Sequence, residues 1–329
     1  MIQVQRQSNS AVTDYYLDVI AKMCAKDCEI YSKEHPLSEC GKDDVIIVPT
    51  AIDFYKVYKK GFRKIVYWMQ GIDGEESYLK HHSRIRKFIL DRFSKFAMKK
   101  ASAVFFVSDE MKRYEEKKFK IYISKKSFIM PCFNVSKDEG LLFDKEKYNK
   151  NVFTYVGSLS EWQCFEKTVE IFKQIEEIYS DAEFKVFTFS KKEAEEILQK
   201  KNVKRYSVDC VPPEKMTEAL SEVKFGFVIR EDIAVNRVAT PTKLSSYLSA
   251  GVIPIFSDCL KDFYEKTADL TYVLPVGEDF KLPKKLDEFI RKGVEYEKIC
   301  AEYKGVFDTY YNPCYYVELY KDKLVELLR

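Results

Sequence analysis

Residues 225–258 read FGFVIREDIAVNRVATPTKLSSYLSAGVIPIFSD, and this stretch is the most informative part of the sequence about the fold. An apolar strand is expected over 225–230, and a second one over 252–256. Between them lie an irregular loop and a helix predicted over 241–250. Strand, helix and strand in this order are typical of a parallel sheet with helices packed on its faces.

The start of that helix has the features of an anion-binding site. Thr240 is expected to cap the helix and Pro241 to take its first position, which leaves backbone N–H groups free. Lys243 lies in the first turn, and Arg237 precedes the helix. Together with the positive end of the helix dipole, these cations suit a phosphate or diphosphate. The alternative is an ordinary capped helix whose two cations are solvated.

The same alternation of strands and helices continues along the whole chain. In the first half, strands are predicted at 2–6, 45–48, 64–69, 103–107 and 128–130, and helices at 12–25, 52–60, 82–100 and 109–119. In the second half, strands are predicted at 152–156, 183–189, 205–208, 225–230 and 252–256, and helices at 162–179, 191–201, 213–222 and 241–250.

A polar, charged stretch over 136–150 is the predicted linker between the two series. The predicted fold class is therefore α/β, with two doubly wound Rossmann-like domains facing each other across a cleft. The expected domains are 1–140 and 150–310. A C-terminal helix over 311–329 is expected to pack back toward the first domain.

The composition excludes several protein classes. Apolar residues make up 46% of the 329 residues and aromatic residues 15%, which excludes a disordered chain. No apolar run approaches the ~18 residues of a membrane span, and no signal peptide is visible. Nine scattered cysteines and three histidines favour a reduced, cytoplasmic protein without a metal site. Residues 1–150 carry a net charge of +8 and residues 151–329 one of −5, so an anionic partner is expected for the first half.

A second candidate site is the stretch YVGSLSEW over 155–162. Gly157 directly follows a predicted strand, where a glycine permits a sharp turn and the close approach of a ligand. Ser158 adds a hydroxyl group and Trp162 a flat aromatic face. The alternative is a structural glycine turn with the tryptophan packed at a domain interface.

These motifs together resemble those of glycosyltransferase family 4, whose members are retaining enzymes with the GT-B fold. The resemblance implies a GT-B-like α/β fold, in which domain 1–140 lies on the acceptor side and domain 150–310 binds the nucleotide sugar. The resemblance rests on VGSLS at 156–160, DCVPPEKM at 209–216 and the 230–255 segment. Weaker similarities are ASAVFFVSDEMKRY at 101–114 and FIMPCFN at 128–134. The resemblance implies contacts of the 240–243 segment and Gly157 with the donor diphosphate, and nucleobase recognition at Cys210 and Val211. The candidate donor-binding residues are Gly157, Ser158, Trp162, Cys210, Val211, Arg230, Asn236, Arg237, Thr240, Pro241, Thr242, Lys243 and Ser246.

The sequence departs from the family pattern at several positions. Ser246 and Val238 stand where the family has the two glutamates of its E-x7-E pair. Ser158 and Gln163 replace a basic pair, so Arg230 and Arg237 are the candidates to supply that charge, and residues 7–10 replace a glycine-rich turn. No D-x-D motif occurs, which favours a metal-independent reaction in which cations and the helix dipole stabilise the leaving group.

The acceptor side offers one acidic cluster, QGIDGEE over 70–76. Asp73 or Glu75 is the candidate catalytic base or hydroxyl ligand. The alternative is a solvated acidic turn, because Gly71 and Gly74 are typical of turns.

Residues 80–100 form a basic segment with a single acidic residue. On a helical wheel Ile85, Ile89, Phe93 and Phe96 line one face. Such a helix can rest on an anionic bilayer and admit a lipid-linked acceptor. The alternative is a half-buried helix whose apolar stripe packs on the sheet while its cations are solvated.

The leading hypothesis is a cytoplasmic glycosyltransferase, peripheral on the inner face of the cell membrane, that acts in bacterial surface polysaccharide synthesis. It would move a sugar from a nucleotide-sugar donor to a saccharide acceptor, lipid-linked, with retention and without metal or cofactor. One alternative is a non-catalytic nucleotide-sugar-binding protein. The other is a GT-B-type sugar-nucleotide epimerase, which needs two carboxylates and a histidine near the donor. No nucleic-acid partner is expected, since only the basic stretches 80–100 and 112–126 favour one.

Overall fold

The computed structural model describes residues 2–4, 11–24, 30–31, 37–134, 143–282 and 284–329. The chain divides into two compact units. The first comprises Met1–Cys132, Val238–Thr240 and Asn312–Arg329, and the second Phe133–Arg237 and Pro241–Tyr311. No helix within the described ranges is long and apolar enough to cross a membrane.

The first unit is built on a parallel sheet of short strands. Its strands are β1 (Ile2–Val4), β2 (Ile30–Tyr31), β3 (Val45–Val48), β4 (Ile65–Met69), β5 (Ala103–Phe106) and β6 (Ser127–Ile129). The strand order is β2-β1-β3-β4-β5-β6. Every residue of β4 is buried, as expected for a central strand covered on both faces.

Helices connect these strands. They are α1 (Ala11–Cys24), α2 (Ala51–Lys59), α3 (Asp73–His81), α4 (Arg84–Lys100) and α5 (Asp109–Phe119). Helices α2, α4 and α5 begin with a side-chain cap. Thr50, Ser83 and Ser108 accept hydrogen bonds from the backbone N–H groups of Asp53, Arg86 and Met111.

The second unit contains a second parallel sheet. Its strands are β7 (Val152–Val156), β8 (Glu183–Phe187), β9 (Tyr206–Asp209), β10 (Phe225–Val228), β11 (Ile253–Ser257) and β12 (Leu274–Val276). The order β12-β11-β10-β7-β8-β9 is that of a Rossmann fold, with its topological switch point between β10 and β7. Phe153 of β7 and Phe225 of β10 stack across this point with ring centroids 4.7 Å apart.

The helices of the second unit cover both faces of its sheet. They are α6 (Phe165–Ile178), α7 (Lys191–Lys200), α8 (Met216–Leu220), α9 (Ala234–Arg237), α10 (Lys243–Ser249), α11 (Lys261–Lys266), α12 (Lys284–Arg291) and α13 (Tyr296–Asp308). The last helix, α14 (Pro313–Leu328), belongs to the first unit. There the Tyr320 hydroxyl donates to the carbonyl of Ile129 over 3.0 Å.

The predicted fold class is confirmed, since both units are doubly wound parallel α/β structures. Several predicted bounds differ from those of the structure, and three of these differences concern the candidate sites. The acidic turn over 70–76 is instead the start of α3, and α10 begins at Lys243 rather than at Pro241. The predicted helix over 82–100 begins at Arg84. Part of the predicted linker and all of the 7–10 turn lie outside the described residues.

Candidate functional site

The carboxyl ends of β7 and β10 meet at the topological switch point of the second sheet. Gly157 directly follows β7, and Arg230 follows β10 by two residues. In open α/β sheets ligands bind in the crevice outside these strand ends. The switch point therefore brings together two candidates that lie 73 positions apart in the sequence.

Gly157 is required by its conformation and by its surroundings. Its φ of +138° is one that side chains with a Cβ atom rarely adopt, and an added Cβ would lie 2.9 Å from Nζ of Lys243. Its backbone N–H donates to the carbonyl of Phe187 at the end of β8. The glycine thus allows the ammonium group of Lys243 to approach the backbone of the loop after β7.

Two cations share one neutral acceptor beside this glycine. Lys243 Nζ donates to Oε1 of Gln163 over 2.8 Å, and the guanidinium of Arg230 donates to the same oxygen. Arg230 also donates to the backbone carbonyls of Gln163 and Ile229, over 3.1 and 2.7 Å. Neither cation forms an ion pair with any carboxylate of the described chain. The cluster therefore carries uncompensated positive charge.

Burial sets the electrostatics of this pair. Arg230 is 4% exposed. Burial, and next the charge of Arg230, lower the pKa of Lys243 well below its usual range, and burial lowers the pKa of Arg230. The ammonium group also lies 5.0 Å from the ring centroid of Tyr155. By exposed area Lys243 is half-buried. An anion at this position would offset the unfavourable proximity of the two cations.

The approach to α10 differs from the sequence prediction. The hydroxyl of Thr240 does not cap the helix, because it accepts a hydrogen bond from the backbone N–H of Cys132 over 3.0 Å. Thr242 occupies the N-cap position without a side-chain hydrogen bond, and Pro241 precedes it. The helix has seven residues, so the positive charge here comes from Lys243 and Arg230 rather than from a long helix dipole.

Two other predicted donor residues hold the loop after β10. Asn236 is buried and donates from its side chain to the carbonyl of Glu231 over 3.0 Å. Arg237 forms an ion pair with Asp232, so its charge is compensated within the loop. Arg230, and not Arg237, therefore accompanies Lys243.

The remaining predicted residues occupy the same edge of the sheet. Ser158 is exposed, and its hydroxyl lies 3.0 Å from that of Ser160, while Trp162 is half-buried. Cys210 and Val211 directly follow β9, two strands from β7, which corresponds to about 10 Å at the usual strand spacing. Ser246 lies in α10 and is half-buried.

A cavity of about 310 Å³ lies on the other side of Arg230, outside β10, β11 and β12. Its walls carry the carboxylates of Glu231, Asp232, Asp258 and Glu278 and the cations Arg230 and Lys167, of which Lys167 pairs with Glu231 over 2.7 Å. Because carboxylates outnumber cations there, this cavity suits a phosphate less well than the side of Gly157 and Lys243 does. An anion bound to Arg230 is therefore expected on the side of Gly157 and Lys243.

In the first unit, the two candidate acceptor bases have opposite electrostatic environments. Burial raises the pKa of Glu75, but hydrogen bonds from Lys87 and Tyr114 and the charge of Lys118 outweigh it and lower the pKa to about 2. Burial, and next the charge of Glu76, raise the pKa of Asp73 to about 6. Glu75 therefore belongs to a structural ion-pair network, and Asp73 is the better candidate base.

Helix α4 exposes apolar side chains in its N-terminal half. Ile85, Phe88 and Ile89 are 75%, 64% and 48% exposed. In the C-terminal half, by contrast, Phe96 packs against Tyr58 of α2 with ring centroids 5.1 Å apart. The predicted packing of the whole apolar stripe thus holds only for the second half of the helix.

No family model matches the sequence, and neither does any curated protein. Solved structures, however, are similar in fold. S. aureus TarM in complex with UDP is 9% identical with a TM-score of 0.59, and the match covers 88% of this chain and 56% of that one. The pneumococcal O-GlcNAc transferase GtfA, in complex with UDP and GlcNAc, is 10% identical with a TM-score of 0.63, over 89% of this chain and 58% of that one.

A third similar structure matches along its whole length. HepE of Anabaena, in complex with UDP and glucose, is 11% identical with a TM-score of 0.63, and the match covers 98% of both chains. The chain spans little more than half of TarM and GtfA. At these identities the likeness shows the fold, which is that of GT-B glycosyltransferases. Membership of family 4 stays a prediction.

Sequence reasoning did not find the role of Gln163. The residue was singled out only because it stands where a basic residue was expected. Its function as the shared acceptor of two cations depends on the tertiary fold, and no local motif indicates it.

Within the described ranges, no group of three His, Cys, Asp or Glu side chains is arranged to hold a metal ion.

Proposed function

We propose that this protein is a glycosyltransferase that moves a sugar from a nucleoside-diphosphate sugar to a saccharide acceptor. The observation that carries the proposal is the pair of uncompensated cations beside Gly157, the buried Arg230 and the half-buried Lys243, at the switch point of a Rossmann sheet. A diphosphate supplies the negative charge that this pair lacks. The complexes of TarM, GtfA and HepE with UDP support the same assignment by analogy of fold.

The cations would act most strongly on the leaving group. As the bond between the sugar and the diphosphate breaks, negative charge grows on the phosphate oxygens. Arg230 and Lys243 are already in place, and a site from which water is excluded strengthens their effect. Since the two cations supply this stabilisation, we propose a reaction that needs no metal ion or other cofactor.

The nucleoside is proposed to extend from the diphosphate toward the end of β9. The ~10 Å between the ends of β7 and β9 suits the distance from a diphosphate to a nucleobase. Backbone groups of Cys210 and Val211 are the proposed nucleobase contacts, and Ser246 the proposed ribose contact in place of the family's glutamate.

We further propose retention at the anomeric carbon. The acceptor oxygen forms its bond to that carbon on the face from which the diphosphate departs. The acceptor proton passes to a phosphate oxygen of the leaving group, so no protein nucleophile is needed. The anomeric configuration of the product, read by proton NMR, tests this step.

Thermal stabilisation by nucleotides tests the donor site. UDP, GDP, ADP and CMP and their sugar conjugates would be added to wild type, to Lys243→Ala and to the exposed control Lys266→Ala. A ligand that binds only the native state raises the free energy of unfolding, by about 2.7 kcal/mol at a concentration of 100 times its Kd. The melting temperature rises as a result. We expect one nucleotide class to stabilise wild type and the control but not Lys243→Ala. Absence of any response would contradict the proposal.

A non-catalytic nucleotide-sugar-binding protein is the second candidate. It is favoured by the loss of the acidic pair, since Val238 is buried and Ser246 carries no charge. The two candidates differ in turnover. Release of free nucleoside diphosphate from the stabilising nucleotide sugar, in the presence of a saccharide acceptor, would support the transferase.

We propose that the acceptor is lipid-linked, that α4 contacts the membrane and that the product belongs to a bacterial surface polysaccharide. Ile85, Phe88 and Ile89 form an exposed apolar patch, and Arg84, Arg86 and Arg92 on the same helix are exposed cations. This combination suits the surface of an anionic bilayer, where apolar side chains insert and cations meet lipid headgroups.

Vesicle flotation tests the membrane contact. Full-length protein would be mixed with vesicles of phosphatidylcholine alone or with added phosphatidylglycerol. We expect flotation only with the anionic vesicles, and its loss in Phe88→Ser. The control Phe189→Ser removes a phenylalanine that is 82% exposed in the second unit, and it should float like wild type. Equal flotation of the two variants would contradict the contact.

A further inference from the structure

A second cavity, of about 360 Å³, lies between α2 and α4 of the first unit. Every residue that lines it is exposed or half-buried, so the cavity is open to solvent. Because α4 leads into the amino end of β5, the C-terminal half of α4 lies toward the amino ends of the strands. This is the edge opposite to the one at which open α/β sheets bind their ligands. The lining residues are Tyr55, Arg92, Phe93, Lys95, Phe96 and Lys99.

Three of the lining residues are cations. Arg92, Lys95 and Lys99 follow one another at intervals of three and four residues, so they share one face of α4. No ion pair joins any of the three to a carboxylate of the described chain. Asp91, the single acidic residue of α4, pairs instead with Lys118 over 2.6 Å. Because like charges at this spacing repel one another, the cavity favours an anionic ligand.

The other three lining residues form an aromatic wall. The ring centroid of Tyr55 on α2 lies 5.1 Å from that of Phe93 and 5.7 Å from that of Phe96, both on α4. Both pairs meet edge to face, which is a favourable geometry for aromatic rings. A cavity that combines such a wall with three cations suits a ligand with an anionic head and an apolar body.

The aromatic wall continues into the exposed apolar patch of α4. Phe93, Ile89 and Ile85 follow one another at intervals of four residues, so they lie in one row along the helix. A hydrocarbon chain along this row would remove apolar surface from water, while its head group stays beside the three cations. A free phosphate or a nucleic acid would leave the row uncovered. The continuity of the wall and the patch therefore favours a lipid.

We propose that the cavity between α2 and α4 binds one molecule of an anionic phospholipid. Its phosphate oxygens accept hydrogen bonds from Arg92, Lys95 and Lys99, and one acyl chain lies along Phe93 and Ile89. Such a site takes up a single lipid even without a bilayer, which a general attraction to a charged surface does not. The assignment rests on the proposed function only through the membrane contact of α4, which would bring the lipid within reach. A lipid held in this way fixes the orientation of α4 on the bilayer.

Calorimetric titration of the full chain with short-chain lipids tests the site. The probe is dihexanoyl phosphatidic acid below its critical micelle concentration, so that no bilayer or micelle is present. Dihexanoyl phosphatidylcholine has the same chains without a net charge, and inorganic phosphate has the anion without the chains. The variant combines Lys95→Gln with Lys99→Gln. The matched control combines Lys117→Gln with Lys200→Gln, which removes the same charge at exposed helical positions outside the cavity.

We expect wild type and the control to bind phosphatidic acid at least about tenfold more tightly than either of the other probes, and the variant to lose at least about tenfold in that affinity. Equal affinity for inorganic phosphate or for phosphatidylcholine would overturn the site, as would an unchanged affinity in the variant. Nucleotide stabilisation, measured on the same proteins, separates the proposals. Phosphatidic acid binding without a nucleotide response would refute the transferase and support the lipid site, and a nucleotide response without phosphatidic acid binding would refute only the lipid site.

Discussion

Gln163 accepts a 2.8 Å hydrogen bond from the ammonium group of Lys243 through its side-chain oxygen. The same oxygen accepts from Arg230. A neutral amide thus lies between two cations, at a position where a negatively charged oxygen would bind more strongly. In our account a phosphate oxygen of the donor replaces the Gln163 side-chain oxygen as the acceptor of both cations. In the absence of donor, Gln163 holds the two cations in place.

The first prediction concerns Gln163→Glu. A carboxylate at this position would pair with Arg230 and Lys243 within the folded protein, and we expect a stabilisation of about 1–3 kcal/mol. It would also neutralise the anion site, so nucleotide affinity should fall at least about tenfold, or ~1.4 kcal/mol. Thermal unfolding with and without nucleotide measures both effects. The control Gln199→Glu lies at an exposed position of α7 and should change neither stability nor nucleotide affinity. Unaltered nucleotide binding in Gln163→Glu would contradict the assignment of Arg230 and Lys243 as the anion site.

The second prediction concerns Gly157→Ala. The φ of +138° is strained for alanine, and the added Cβ would lie 2.9 Å from Nζ of Lys243. We expect a loss of about 1–3 kcal/mol in the free energy of unfolding, together with weaker nucleotide binding. Gly305→Ala in α13 is the matched control. A Cβ there meets nothing within 4 Å, so this variant should be as stable as wild type or up to about 1 kcal/mol more stable.

The third prediction concerns the pH dependence that Asp73 confers. Its pKa is raised from 3.8 to about 6 in the folded protein, so the folded state holds this proton more tightly than the unfolded state. Ionisation of Asp73 therefore destabilises the fold progressively as the pH rises from about 4 to 6, and fully above that range. Asp73→Asn should be more stable than wild type by about 1–3 kcal/mol at pH 7.5 and nearly equal to it at pH 4. A constant difference between the two proteins across this range would contradict the assigned environment.

The fourth prediction is the opposite behaviour at Glu75. Its pKa is lowered from 4.5 to about 2, so its charged form stabilises the fold. This contribution is present above pH 4.5 and is lost as the pH falls toward 2. Glu75→Gln should lower the free energy of unfolding by about 1–3 kcal/mol at pH 7, and by less near pH 3. Because Lys118 keeps Asp91 as a partner at 2.6 Å, the variant should still fold. If Glu75→Gln is as stable as wild type at pH 7, the ion pairs of Glu75 do not stabilise the folded protein.

The sequence alone predicts much of the sheet framework. Strand β3, strand β7 and helix α5 begin and end where the apolar periodicity places them. Buried strands and amphipathic helices are local patterns, and in this fold the tertiary structure agrees with them. For the same reason the switch-point candidates Gly157 and Lys243 could be named before their proximity was known.

Helix α3 could not be predicted, because Gly71 before it and Gly74 within it are typical of a turn. Gly74 lies inside the helix, where a Cβ would come within 2.0 Å of the Asp91 carboxylate. The glycine therefore serves a close contact between α3 and α4, and not a turn. Thr240 illustrates the same limit, since its hydroxyl accepts from Cys132, 108 positions away in the sequence, and does not cap α10. Both features depend on partners that are remote in the chain, which no local pattern reveals.

Isothermal titration calorimetry with the stabilising nucleoside diphosphate, on wild type, Lys243→Ala and the exposed control Lys266→Ala, tests whether the cation pair is the donor site. In our account the diphosphate binds to Arg230 and Lys243 beside Gly157. We predict equal affinities for wild type and Lys266→Ala, and an affinity at least about tenfold weaker, or ~1.4 kcal/mol, in Lys243→Ala. An affinity of Lys243→Ala equal to that of wild type would show that the cation pair is not the donor site.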